Sequence, residues 1–208
     1  MSYEGWAAKS VRRMTAGDRK KLSGFPYPVS GIRRVVRIHH AHPGLRLDRR
    51  AIATVIHLLD AHAAEILGAG PRNAFSSSLF PLPSAAKGGL SIAFLTASAL
   101  ARLHGEFLGD PSATDVITFA GAPTVGAAPA ESGQAGEICV SADAARAFAR
   151  KHGRDFSEEL TLYVVHGWLH LAGHDDLQPA KKRRMRAAEA RALALLRAAG
   201  AVPGFRLA

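Results

Sequence analysis

The chain has 208 residues, of which 48% are hydrophobic and 21% charged, a composition typical of a globular protein with one sizeable core. Its 27 Lys and Arg residues outnumber 17 Asp and Glu, and the formal net charge of +10 favours polyanionic partners. The single Cys139 excludes an internal disulfide framework and a Cys-based structural zinc site within one chain. With no apolar run of about 18 residues and no signal-like amino terminus, we expect a cytoplasmic protein.

The amino-terminal third of the chain predicts an arm, a strand and a helix. Residues 1–31 are basic and end in a Gly/Pro/Ser stretch, which indicates a poorly ordered arm. RRVVRIHH then predicts a strand over 33–40. Apolar residues at helical spacing predict one helix over 47–67, capped by Asp48.

The rest of the chain alternates between strands and helices after a Pro/Ser-rich connection through Pro83. Strands are predicted at 90–95, 115–120 and 137–141, a loop at 122–136, and helices at 97–107 with Thr96 as N-cap, at 142–152, at 157–172 with Ser157 as cap, and at 179–199. Interleaved strands and helices indicate an α/β or α+β layer architecture.

The most informative residues lie at the end of the helix predicted over 157–172. His166 and His170 are four apart and therefore share one helical face, an arrangement that zinc-binding helices use. Gly173 can adopt the left-handed conformation just past the last turn and let the chain turn back. Asp176 is then in place to supply a third ligand.

His174 and Asp175 are rival candidates for the third ligand. There is also an alternative to metal binding, because two histidines four apart on a helix are common as packed or solvated residues. Two imidazoles and one carboxylate leave a position for water, whose pKa falls to about 7 on zinc. The same ligands also suit iron, nickel or manganese.

The residue after the first histidine bears on the reaction. Zinc peptidases with this helix carry a general-base Glu there, whereas this chain has Gly167. Phosphodiester hydrolysis needs less from the protein, because hydroxide on the metal attacks phosphorus while the metal and basic side chains stabilise the added charge. A metal and a basic chain together indicate cleavage of a nucleic acid backbone.

Three segments in order carry a family resemblance: EFLGDPSATDVITF (106–119), GEICVSADAARAFARKHG (136–153) and VVHGWLHLAGHDD (164–176). Over about residues 32–176 the chain resembles the YbeY-type single-strand endoribonucleases, also called rRNA maturation factors. The resemblance implies an α/β (α+β) fold with a mixed central sheet, helices packed on it, and one zinc ion in a basic cleft. It also implies trimming of the 3′ end of small-subunit rRNA and ribosome quality control.

Position by position, the resemblance makes His166 and His170 the first two metal ligands. Asp176 stands where the family most often has a third His, and Leu108 stands where many members have a cleft Arg. Thr114 and Asp115 match the family's Thr-Asp-Val segment. The alternative to a direct catalytic role is that Thr114 begins a strand and Asp115 accepts backbone hydrogen bonds at its edge.

The sequence thus predicts a metal-dependent endoribonuclease domain over 32–178, flanked by the arm at 1–31 and a basic C-terminal helix at 179–208. The proposed nucleophile is water on the metal, and no catalytic side chain is assigned. The expected partner is single-stranded rRNA of the small ribosomal subunit. The alternatives are a non-catalytic ribosome-assembly factor of the same fold and, less favoured, a zinc peptidase. Trp168 and Cys139 are expected in the core. A run of basic residues either binds RNA phosphates or forms only a solvated helix face. These residues are Lys181, Lys182, Arg183, Arg184 and Arg186.

Overall fold

A computed structural model describes residues 34–68, 88–121 and 134–208. The strands in these ranges are β1 (Val36–His40), β2 (Leu45–Arg46), β3 (Gly89–Leu95), β4 (Val116–Ala120), β5 (Gln134–Ser141) and β6 (Arg206–Leu207). The helices are α1 (Arg49–Ala61), α2 (Ala63–Leu67), α3 (Ala97–Leu108), α4 (Ala142–His152), α5 (Phe156–Leu171) and α6 (Pro179–Ala198). The predicted arm, the connection through Pro83 and most of the predicted loop at 122–136 lie outside the described residues.

The central sheet has the strand order β1-β3-β5-β4. β1, β3 and β5 run parallel, and β4 pairs antiparallel with β5 at the edge. Ile38, Ile92 and Ile138 are register partners across the three parallel strands. This mixed sheet with helices packed on it confirms the predicted fold class. In the three described ranges, no helix is long and apolar enough to cross a membrane.

Side chains alternate between the two faces of the sheet, and each face is covered. Ile92 and Ile138 belong to a large core cluster that also contains buried residues of α1, α5 and α6. Their neighbours Ala93 and Cys139 belong to a smaller cluster with Leu100 of α3. Cys139 is therefore the small core residue that its apolar strand predicted.

Two predicted boundaries are wrong, one in a helix and one in a strand. Asp48 caps α1 by accepting from the Arg50 and Ala51 N–H groups, as predicted, but the expected single helix breaks at His62, where φ is −110° and ψ is 19°. β5 starts before the predicted strand at 137–141 because Gln134 pairs with β3 and Gly136 pairs with both neighbouring strands, which extends the ladder.

The cap of α5 is also corrected. Asp155, and not Ser157, accepts the Glu158 N–H at 2.9 Å, so the helix begins at Phe156. Ser157 lies within the first turn, where its hydroxyl accepts the Phe205 N–H at 2.9 Å. This contact ties the C-terminal segment to α5. β6, in the same segment, pairs antiparallel with β2, which the sequence did not predict.

Helix α6 is part of the core. Met185, Ala188, Ala192 and Leu196 are fully or almost fully buried in the large cluster. α6 packs on α5 and on α2, and the described residues belong to one compact unit. Residues 179–198 thus share a core with the sheet, although their sequence is strongly basic.

Candidate metal centre

The candidate centre lies at the C-terminal end of α5, which packs on β4 and β5. The helix ends in a turn in which Gly173 has a φ of +89°. The His174 N–H bonds the Leu169 carbonyl and the Gly173 N–H bonds the His170 carbonyl, each at 2.9 Å. This pair of bonds defines a Schellman cap. The left-handed conformation predicted for Gly173 is confirmed.

The turn brings Asp176 back toward the two histidines. The Nε2 atoms of His166 and His170 are 2.9 Å apart, and Asp176 Oδ1 lies 4.0 Å from His170 Nε2. One ligand atom from each of the three residues lies within 4.8 Å of the others, and the part of the chain that the structure describes contains no other such group of His, Cys, Asp or Glu. The side chains are only 15 to 32% exposed.

The hydrogen bond at Nδ1 of each histidine ring determines whether the Nε2 atom of that ring can act as a ligand. His166 Nδ1 lies 2.6 Å from Glu189 Oε1, and His170 Nδ1 lies 3.1 Å from the His174 carbonyl oxygen. Since both partners are acceptors, each Nδ1 carries a proton, and each ring, when it is neutral, presents an Nε2 lone pair. Two lone pairs at 2.9 Å repel unless a cation lies between them, either a proton or a metal ion. The donor set therefore fits a divalent metal.

The electrostatics of the two rings differ. Burial lowers the pKa of His166, but the hydrogen bond and charge of Glu189, with Asp115 and Asp176, outweigh burial and raise the pKa above its usual value. For His170, burial and the neighbouring His166 lower the pKa below its usual value. The pair is thus polarised, with the positive charge favoured on the ring that faces more carboxylates.

Neither rival for the third ligand belongs to the cluster of ligand atoms. Asp175 accepts the Leu177 N–H through Oδ1 and the Lys181 ammonium through Oδ2, both at 2.7 Å. Burial, together with the cationic Arg191 and Arg184, lowers the pKa of His174. The structure thus brings Asp176, and not His174 or Asp175, beside the two histidines.

Packing explains the glycine between the histidines. A Cβ atom at Gly167 would lie 2.4 Å from Ile138 Cγ2 and 3.3 Å from Thr118 Cγ2, so α5 approaches β4 and β5 too closely for any side chain. A general-base Glu cannot occupy this position, and the site lacks the proton acceptor of a zinc peptidase.

Glu189 is the site residue that sequence reasoning missed. It lies on α6, far from the motif in sequence, and reaches His166 only through helix packing. A signal was present, because Glu189 is the one acidic residue among residues 177–208. An isolated carboxylate in a basic helix favours a specific partner.

The structure also places the other residues that the sequence singled out. Trp168 is 3% exposed and donates its indole N–H to Asp60 at 3.0 Å, so it is a core residue as expected. Asp115 accepts the Val116 N–H at the start of β4, and Thr114 donates to the Val116 carbonyl at 3.4 Å. Leu108 is the last residue of α3.

The predicted RNA-binding run lies on the first turns of α6. Lys181, Arg183 and Arg184 are exposed, and Lys181 is also ion-paired with Asp175. Lys182 and Arg186 are half-buried. Arg184 acts electrostatically on His174, so this cation lies near the metal centre.

Comparisons with known proteins identify the family of the chain. The family model for endoribonuclease YbeY matches residues 73–197. An endoribonuclease YbeY of Salinibacter ruber is 31% identical over 170 residues, which cover 79% of this chain and 89% of the relative. One from Chlamydia felis is 39% identical over 110 residues, 51% of this chain and 68% of the relative. A solution structure from Thermotoga maritima has a TM-score of 0.45 and 19% identity, covering 80% of this chain and 95% of that one. By the family model and the Salinibacter relative, the chain belongs to the endoribonuclease YbeY family.

Proposed function

We propose that this chain is a cytoplasmic, single-strand-specific, zinc-dependent endoribonuclease that matures the 3′ end of small-subunit rRNA and acts in ribosome quality control. Membership of the endoribonuclease YbeY family supports hydrolysis of RNA. The observation that supports the metal dependence is the cluster of two imidazoles and one carboxylate, in which one ligand atom of each of His166, His170 and Asp176 lies within 4.8 Å of the others.

In this proposal His166, His170 and Asp176 hold one zinc ion. A bound zinc ion supplies the Lewis acidity and acidified water that phosphodiester hydrolysis needs. The chain itself orients both imidazoles, through Glu189 and through the His174 carbonyl. Because Gly167 leaves no room for a carboxylate beside His166, the centre suits a phosphodiester better than a peptide bond.

The proposed RNA contacts come from the basic start of α6. Exposed guanidinium groups bind phosphate oxygens in bidentate geometry, and Arg183 and Arg184 are exposed. The catalytic domain proposed over 32–178 also needs α6 beside it, since Glu189 contacts His166. The proposed partner is single-stranded rRNA of the small ribosomal subunit.

The test is cleavage of a labelled single-stranded rRNA fragment by zinc-loaded protein, beside the same fragment annealed to its complement. Chelator, His170→Ala and Asp176→Ala should each abolish cutting. Asp175→Ala is the matched control, because it removes the adjacent carboxylate that is engaged with Lys181, and it should retain most activity.

Two outcomes would overturn the proposal. If zinc-loaded wild type binds the fragment without cutting it, the chain is a non-catalytic assembly factor of this family. If Asp175→Ala loses activity and Asp176→Ala keeps it, the third ligand is misassigned.

A further inference from the structure

The carboxylate of Glu189 projects from α6 onto the first histidine of the site. Glu189 Oε1 lies 2.6 Å from His166 Nδ1, and the two side chains are 13% and 15% exposed. In so dry a setting a charge-assisted hydrogen bond is strong and strictly oriented. The contact therefore fixes the ring plane of His166 as well as its proton.

The two histidines are oriented by different means. His170 Nδ1 donates to the backbone carbonyl of His174, whose place is set by the Schellman turn. His166 depends instead on a side chain from another helix. One side-chain substitution can therefore release His166 and leave His170 in place.

We propose that Glu189 is the positioning residue of the metal centre, which holds His166 as the Nδ1–H tautomer with its Nε2 aimed at His170 and Asp176. The inference rests on the metal site of the proposed function. Carboxylates behind metal-binding imidazoles fix the tautomer and make the ring a better donor, and their loss typically weakens metal binding about 10- to 100-fold.

The first experiment measures zinc affinity of the full chain by competition with a chromophoric chelator. Glu189→Ala should weaken binding about 10- to 100-fold. Glu189→Gln should lose less, because its amide oxygen still accepts from Nδ1 while the negative charge is gone. Glu65→Gln is the matched control, since Glu65 forms a His–Glu pair with His62 at 3.4 Å with 73% of its own side chain exposed, and it should bind zinc like wild type.

The second experiment reads the tautomer directly, by long-range ¹⁵N–¹H NMR of metal-free protein at an alkaline pH at which both rings are neutral. Wild type should show His166 protonated on Nδ1, and Glu189→Ala should show a mixture, while His170 keeps its Nδ1 proton. A merely structural role for Glu189 would change the unfolding temperature without moving the tautomer. If Glu189→Ala does not fold, the nearly isosteric Glu189→Gln decides by its affinity.

Unchanged zinc affinity with an unchanged His166 tautomer in a folded variant would overturn the inference. This failure is separable from failure of the proposed function. If Glu189→Ala binds zinc weakly but wild type does not cut RNA, the inference stands and the nuclease proposal falls. If wild type cuts RNA with zinc and Glu189→Ala binds zinc normally, the nuclease proposal stands and the inference about Glu189 falls.

Discussion

Two glycines decide what the metal centre can hold. Gly167 lets α5 lie against Ile138 and Thr118, and so excludes the carboxylate that peptide hydrolysis would need. Gly173, at a φ of +89°, lets the chain reverse and deliver Asp176. The first glycine is needed for space and the second for backbone conformation, and neither contributes a functional group.

Gly173→Ala should destabilise the fold by about 1 to 2 kcal/mol, the cost of a left-handed alanine, because no atom lies within 4 Å of the added Cβ. It should also weaken zinc binding about tenfold, since the turn presents the carbonyl that orients His170. Thermal unfolding and chelator competition measure the two effects.

The matched control for this prediction is Gly153→Ala, at the end of α4. Gly153 has a φ of +61° and equally open space around its Cβ. Gly153→Ala should lower the stability of the fold by about as much as Gly173→Ala and leave the zinc affinity unchanged. Equal zinc affinity in the two variants would contradict the role assigned to the turn.

At the scale of elements, one carboxylate joins three segments at the carboxyl ends of the parallel strands. Asp143, in the first turn of α4, accepts the Ala97 N–H at the start of α3 at 2.9 Å. Its other oxygen lies 3.1 Å from His42 Nε2, beyond the end of β1. Partial burial raises the pKa of Asp143, but the hydrogen bonds from Ala97 and His42 outweigh it, and the pKa lies below its usual value.

Asp143→Asn should lower the free energy of unfolding by about 1 kcal/mol at pH 7. A lowered pKa in the folded state means that the carboxylate stabilises the fold above the ordinary Asp pKa and loses this effect as pH falls through the folded value. Urea unfolding should therefore show a difference between variant and wild type at pH 7 that shrinks toward pH 3. An equal difference at both pH values would contradict this account.

Leu108 ends α3, at the position where the family resemblance implies a cleft Arg. Leu108→Arg should tighten binding of a single-stranded RNA and steepen the slope of log K against log salt by about 0.7, the value for one added phosphate contact. Filter binding between 50 and 200 mM salt measures it. Ala61→Arg, at the end of α1, adds the same charge elsewhere and should change the slope less.

At the scale of the whole molecule, some of the exposed cations behind the net charge of +10 are already ion-paired. Arg197 is bound by Glu158 through two contacts of 2.7 Å, and Lys181 by Asp175. Arg184 is exposed and acts on His174 beside the metal centre. Long-range attraction of a polyanion depends on the total charge, whereas phosphate contacts need exposed cations at the site.

Arg184→Ala should therefore weaken single-stranded RNA binding and flatten the salt slope by about 0.7. Arg197→Ala removes one positive charge as well, but Arg197 is already bound to Glu158, so this variant should flatten the salt slope less. Binding titrations at several salt concentrations compare the two. A larger effect from Arg197→Ala would place the RNA path on the other end of α6.

The sequence alone determined the local features of this protein. Helical spacing located α5 and α6, Asp48 and Thr96 cap their helices as predicted, and the left-handed Gly173 followed from its place after the last turn. These predictions succeed because caps, periodicity and glycine turns depend on residues within a few positions of each other.

Tertiary structure decided what depends on distant parts of the chain. The pairing of β2 with β6 was not predicted, because it joins Leu45 to Leu207 across the described domain. Ser157 does not cap α5, since its hydroxyl accepts the distant Phe205 N–H and the local cap is Asp155. At the site, sequence spacing left Asp176, His174 and Asp175 as rivals, and only the folded loop engages Asp175 with Lys181. Glu189 reaches His166 because α6 packs on α5, and no local pattern encodes a contact made by packing two helices.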